Sequence, residues 1–152
     1  MRLIDIVERK GHDIAMVPDT ATVGDVARMM SEQNCGSVIV RTKAGNLIGL
    51  VNEKRIVETV ATSDKLADAI SVKDVMVSPV PAADAGTSMI DGFKAMTNGR
   101  FRHLVVTDDG RSIGVVSIGD LVKCYVHDIE LENSVLRDLA AAHIVSADRE
   151  SA

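Results

Sequence analysis

Apolar and polar positions change period along this chain in a set order, and the order occurs twice. Val23, Val26, Ala27 and Met30 recur at helical spacing. A β-rich run, Ser37-Val38-Ile39-Val40, follows, then a Lys43-Ala44-Gly45-Asn46 turn and a second run, Gly49-Leu50-Val51. This predicts a hairpin closed by a Gly-containing loop. The same order returns in His103-Leu104-Val105-Val106, Asp108-Asp109-Gly110-Arg111 and Gly114-Val115-Val116, with Gly49 and Gly114 65 residues apart. Upstream, Thr22 to Met30 matches Ser88 to Met96 at an offset of 66. The one-residue difference falls in the second hairpin turn, where a deletion disturbs least. Thr22 and Ser88 are good helix N-caps, and Asp25 and Asp91 stand three residues later, where an acid favours a helix start. A further helix is predicted after each hairpin, from Glu53 to about Ala61 and from Gly119 onward.

Each repeat therefore reads as short strand, helix, two hairpin strands, helix. The expected fold class is α/β (α+β): two tandem β-α-β-β-α repeats packed around a pseudo-twofold axis. One such unit is too small to hide its apolar face alone. The connecting segment, Ala67 to Met76, is short and apolar rather than Gly/Ser-rich, which disfavours two independent domains. Pro79 and Pro81 hold the chain extended before the second repeat. The expected division is residues 1–66 for the first repeat with its lead-in, 67–127 for the second with its lead-in, and 128–152 for a C-terminal amphipathic helix and tail. From Asp120 to about Ile144 the sequence stays helical, and Val122, Tyr125, Val126, Ile129, Leu136 and Leu139 form an apolar stripe interrupted by Glu132 and Asn133. It carries too many acids for a membrane-surface helix and is expected to pack on its own domain or on a dimer partner.

Composition narrows the function classes. Hydrophobic residues make up 46% of the 152, but aromatics only 2%, so the core must be built from Val, Ile, Leu, Met and Ala. A formal net charge of -5 argues against nonspecific nucleic-acid binding, which needs a basic face. No apolar run approaches the roughly 18 residues of a membrane span, and the N-terminus has no secretory pattern, so a cytoplasmic protein is expected. Cys35 and Cys124 show neither metal spacing nor a disulfide framework and read as small buried hydrophobes. His127 and His143 have no partners spaced for a metal.

Several stretches together resemble the CBS domain pair, or Bateman module. They are Asp74-Val75-Met76, Phe101-Arg102-His103-Leu104-Val105-Val106, Asp108-Asp109-Gly110, and the run Gly114-Val115-Val116-Ser117-Ile118-Gly119-Asp120-Leu121-Val122. The last fits the family's signature of Gly, two hydrophobics, Ser/Thr and an Asp three residues on. Each motif is short, but two copies in register cover about residues 1–127. The whole is similar to stand-alone bacterial CBS-pair proteins. The resemblance implies two pockets between the repeats for adenosine-containing ligands, AMP foremost, with ADP, ATP, NAD and S-adenosylmethionine as alternatives and no metal required. It also implies a dimer of pairs.

Residue by residue, the resemblance implies one well-equipped site. Asp120 would accept hydrogen bonds from the ribose 2′- and 3′-hydroxyls, each worth about 1.5–3 kcal/mol to a charged group. Ser117 would reach the ribose or α-phosphate. On the residues alone, Ser117 as N-cap and Asp120 as first-turn acid is an equal reading. Arg102 and His103 would face the phosphates, and a bound phosphate would raise the His103 pKa. Arg100 reads as a solvated basic edge. Ile14, Ala15, Cys35 and Gly36 of the first repeat, with Val115 beneath the base, would form the adenine slot. Ala15 and Gly36 are small enough to let a ring approach the backbone.

The first repeat departs from the pattern. Asn52-Glu53-Lys54-Arg55 stands where Ser117 to Asp120 stands in the second, so Arg55 replaces the ribose-binding carboxylate. A second site lined by Leu50, Asn52, Arg55, Val80, Pro81 and Phe101 is therefore expected to be empty, weaker, or selective for another ligand, with Arg102 shared between the two.

The function expected is a regulatory nucleotide sensor acting through a change in how repeats or subunits sit, read by a regulated protein. A catalytic role is not expected: the chain has no P-loop and no G-x-G-x-x-G opening a helix. The rival readings are a structural dimerisation module with relict pockets and, behind it, a nucleotide-processing enzyme such as a hydrolase or an NAD-using oxidoreductase.

Overall fold

The computed structural model describes residues 1–151. Within each repeat the elements follow the predicted order, and a helix not predicted from the sequence precedes the first. Helix α1 (Leu3–Lys10) precedes β1 (Met16–Pro18), α2 (Val23–Gln33), the β2 (Ser37–Arg41)–β3 (Leu47–Asn52) hairpin and α3 (Glu53–Thr62). Two single 3₁₀ turns, Ala67–Ala69 and Val72–Asp74, lead to β4 (Ala82–Asp84), α4 (Met89–Gly99), the β5 (His103–Asp108)–β6 (Arg111–Ser117) hairpin and α5 (Ile118–Glu150).

Each repeat forms a three-stranded sheet, β1-β2-β3 and β4-β5-β6, whose first pair is parallel and second antiparallel. The equivalence extends to irregularities. Both central strands carry a register shift, at Val40/Arg41 and at Val106/Thr107. Both first helices end on a left-handed residue, Asn34 (φ 50°) and Arg100 (φ 56°). All four repeat helices are capped by the side chain before them: Thr22, Asn52, Ser88 and Ser117 accept from the backbone N–H three residues on.

The lead-in segments cross over. Leu3, Ile6 and Val7 of α1 are buried with Met89, Met96, Leu104, Val106, Val116 and Leu121 of the second repeat. Ile70, Val72 and Val75 are buried with Val23, Val26, Met30, Val38, Val40 and Val51 of the first. Backbone bonds fix both crossings: Leu3 N donates to Thr87 O (2.9 Å) and Val23 N to Ile70 O (2.9 Å). The echoing glycines now have a reason. A Cβ on Gly114 would lie 2.7 Å from Val7 Cγ1, and one on Gly49 would collide with the Met76 side chain. Each glycine leaves room for the lead-in that crosses its hairpin.

A third cluster, Ile39, Leu50 and Val105 with Ile14, Met16, Leu47, Val80 and Val115, joins the two sheets. The core is thus aliphatic, as the composition required. Helix α5 runs through residue 128 without a break and continues to Glu150, past the expected end near Ile144. From Ile129 onward every described residue is exposed, with Ile129 and Glu132 at its start lining a hollow beside Met1 and Ser88.

Because Leu3 is fully buried under the second repeat, Leu3→Ala should cost about 2–5 kcal/mol. Denaturant unfolding measures this, and a loss under 1 kcal/mol would contradict the crossed packing.

Candidate nucleotide cleft

Two clefts open where the repeats meet. The first, about 730 Å³, is lined by Lys10, Gly11, Asp13, Ile14, Ala15, Gln33, Asn34, Cys35, Gly36, Ser37, His103, Val115, Ser117 and Asp120. It brings together every residue expected in the main site except Arg102. The reason is topological. The β1 entry and the α2–β2 junction belong to one repeat, and the β6–α5 junction to the other, so packing sheet on sheet sets them face to face.

Ser117 and Asp120 form the capping box that the residues alone allowed. Ser117 N donates to Asp120 Oδ2 (2.8 Å) and Asp120 N to Ser117 Oγ (3.1 Å). Capping and ligand binding are compatible here, because no described residue bonds Asp120 Oδ1. Oδ2 also accepts from Lys10 Nζ at 2.7 Å. Burial would push the Asp120 carboxyl up, but hydrogen bonds from Lys10 and Ser117 outweigh it and hold the group below its ordinary value. It is a carboxylate at neutral pH.

His103 starts β5 on the wall shared by both clefts. Its Nδ1 is buried and has no hydrogen-bond partner. Burial first, then the Lys10 charge, lowers its pKa below the ordinary 6.5, with Asp120 opposing. A buried ring nitrogen left unsatisfied is costly, so this edge of the cleft is short of a polar partner.

The second cleft, about 640 Å³, holds Asn52, Arg55 and Phe101 of the expected second-site set, together with Glu53, Lys54, Glu58, Arg100 and Arg102. Leu50, Val80 and Pro81 do not line it. Leu50 is buried between the sheets, Val80 packs there too, and the Pro81 carbonyl is taken by Val105 N (2.8 Å). Arg55 is tethered: Nε donates to Val75 O (2.8 Å), and Nη1 lies 3.5 Å from Glu58 Oε2. Arg102 opens on this cleft rather than the first. The two clefts share Gly36, His103 and Ser117, so Arg102 and Arg100 stand beyond a common wall.

Sequence reasoning missed Lys10, Gly11, Asp13, Gln33, Asn34 and Ser37 in the first cleft. Asn34 carried a signal, since Asn before Cys35-Gly36 is the residue type that ends a helix left-handed. Lys10 carried none, being 110 positions from its partner. Among the described residues, no three His, Cys, Asp or Glu side chains are grouped to hold a metal, and no helix is long and apolar enough to cross a membrane.

Paired β-α-β-β-α units with clefts where they meet define a two-repeat class. The CBS domain model matches residues 5–70 and 72–127, and the chain belongs to the CBS domain family. It is 31% identical over 111 residues to an uncharacterized 17.7 kDa protein of Acidianus ambivalens, covering 72% of this chain. It is 27% identical over 124 residues, 81% of this chain, to an uncharacterized protein of Methanopyrus kandleri. The chain spans just under two thirds of these relatives, 66% and 63%. Among solved structures, a CBS-domain-containing protein from Agrobacterium tumefaciens is similar at TM-score 0.78 and 30% identity, with 82% of this chain and 99% of that one covered. A CBS domain protein from Pyrobaculum aerophilum complexed with AMP shares the fold at TM-score 0.74 and 23% identity, covering 89% and 99%.

The lowered His103 pKa has a consequence for stability. The folded chain holds the neutral ring, so protons bind the unfolded chain preferentially as pH falls below 6.5. Its contribution is intact above that pH and declines below it. Urea titrations between pH 7.5 and 5 should show stability falling, with a smaller fall in His103→Asn. An equal fall in both proteins would contradict this environment for His103.

Proposed function

We propose that this chain is a regulatory module that binds an adenine nucleotide, AMP foremost, in its first cleft. The observation that carries the reading is the shared wall, where the buried His103 Nδ1 lacks a partner beside Ser117 and the half-free Asp120 carboxylate. The adenosine would lie in the first cleft, its base beside Ile14, Ala15, Cys35, Gly36 and Val115 and its ribose at Asp120. The phosphate would sit at Ser117 and His103, within the field of Arg102 and Arg100 beyond the wall. Partial neutralisation of phosphate by His103 needs its protonated form, so binding would raise the depressed pKa. Support also comes from the Pyrobaculum aerophilum protein of this fold, which is complexed with AMP. The second cleft, with Arg55 tethered and no acid at its position, suits an anionic group better than a ribose.

A signalling route is part of the reading. Adjacent residues of α1 reach α5 twice, Lys10 at Asp120 and Arg9 at Asp128 (3.8 Å). A ligand that alters the first contact would shift α1 against α5, which extends away from the repeats. A homodimer is part of the reading. An apolar groove of about 380 Å³ between α4 and α5, lined by Met89, Ile90, Phe93, Leu121, Val122 and Tyr125, leaves Phe93 and Tyr125 about half exposed.

Calorimetry against AMP, ADP, ATP, NAD and S-adenosylmethionine tests the ligand. Binding of at least one is expected, and Asp120→Ala should weaken it tenfold or more. Silence across the panel would sink the nucleotide reading, and turnover of any member would make the chain an enzyme. Light scattering should return twice the 16.2 kDa chain mass, falling to one chain mass in Phe93→Glu. A monomeric wild-type protein would remove the dimer.

A further inference from the structure

We propose that Lys10 and Asp120 together form a donor–acceptor clamp for the ribose diol, making Lys10 a specificity-determining residue of the first cleft. The proposal rests on the nucleotide reading above and assigns a role to a residue outside the repeat motifs.

The two side chains come from opposite ends of the chain and meet on the cleft wall. Lys10 is the last residue of α1, and Asp120 lies in the first turn of α5. A lysine at a helix end ordinarily reaches into solvent, because holding its long stem in one place costs rotamer entropy of about 2 kcal/mol. Here the ammonium is held twice, donating to Asp120 Oδ2 (2.7 Å) and to the Val115 carbonyl (3.0 Å). The crossing of α1 onto the second repeat, fixed by buried Val7 against Gly114, sets the stem in place.

Counting protons and lone pairs shows what remains. An ammonium has three N–H groups. Two are committed, so one is left without a partner among the described residues. Asp120 Oδ2 takes Ser117 N and Lys10 Nζ, while Oδ1 takes nothing. The wall thus presents one free donor next to one free charged acceptor. A vicinal diol complements that pair: one hydroxyl donates to Oδ1, and its neighbour accepts from Lys10. A lone carboxylate or a lone ammonium would meet one matching and one opposing charge. A ligand lacking one hydroxyl would leave either the lysine proton or the carboxylate oxygen unpaired.

The clamp also accounts for how Asp120 can be both cap and ligand. Lys10 offsets the carboxylate charge, so an uncharged ribose is received without a net charge being buried.

The test is calorimetry of the full chain and Lys10→Met with AMP, adenosine, 2′-deoxy-AMP and 3′-deoxy-AMP. Lys10→Met should weaken AMP and adenosine by the same factor, about tenfold, as expected for one hydrogen bond to a charged group. Against one of the two deoxynucleotides the variant should lose less than threefold, because the hydroxyl Lys10 serves is already gone. Lys10→Arg should recover part of the AMP affinity. Equal losses for all four compounds would overturn the clamp, as would a loss for AMP without one for adenosine, which would move Lys10 to the phosphate. Wild-type protein that binds none of the four overturns the clamp, and the nucleotide reading falls with it when the panel of five nucleotides above is silent too.

Discussion

The crossing of each lead-in onto the opposite repeat is the contact on which the rest of the molecule depends. Each three-stranded sheet is too narrow to bury its own face. α1 covers the second sheet through Leu3, Ile6 and Val7, and the segment around Ile70, Val72 and Val75 covers the first. The exchange makes the repeats interdependent for apolar burial, the dominant favourable term in folding. It then leaves Ile39, Leu50 and Val105 to join the sheets back to back. The clefts are what remains open where the repeats meet, on either side of the wall that Gly36, His103 and Ser117 form.

The same crossing delivers chemistry. It places Lys10 on the cleft wall and Arg9 beside Asp128, so one helix touches both the cleft-facing end of α5 and its next turns. A site built on helix termini and strand ends of two repeats is sensitive to their relative position. That is the physical requirement for a module that reports occupancy, since a ligand shifts an equilibrium only through contacts that differ between two arrangements.

Approximate symmetry in the framework coexists with asymmetry in the chemistry. Bulges, left-handed helix ends and capping residues recur at equivalent positions. Yet the position that holds a carboxylate at Asp120 holds Arg55 in the other repeat, and their partners differ accordingly: Lys10 for the acid, the Val75 carbonyl and Glu58 for the arginine. Each lead-in supplies the complement of the charge it meets.

Much of this was legible in the sequence. The order of elements, the doubled hairpin, the capping residues and the aliphatic core all follow from local periodicity and turn chemistry, which act within about ten residues. Eight of the nine residues that the family resemblance assigned to the main site meet in the first cleft, because the stretches that carry them sit at strand–helix junctions whose placement the repeat dictates. What only the tertiary structure decided is long-range. Local pattern does not say which sheet a lead-in helix covers, so Lys10 stayed invisible and the reason for Gly49 and Gly114 unstated. Nor does it say which side of a shared wall a side chain takes. Arg102 opens on the second cleft while its neighbour His103 lines both, and Leu50, Val80 and Pro81 go to the join between sheets rather than to a pocket. Those choices are made by how two sheets pack, a property of the pair and not of either segment.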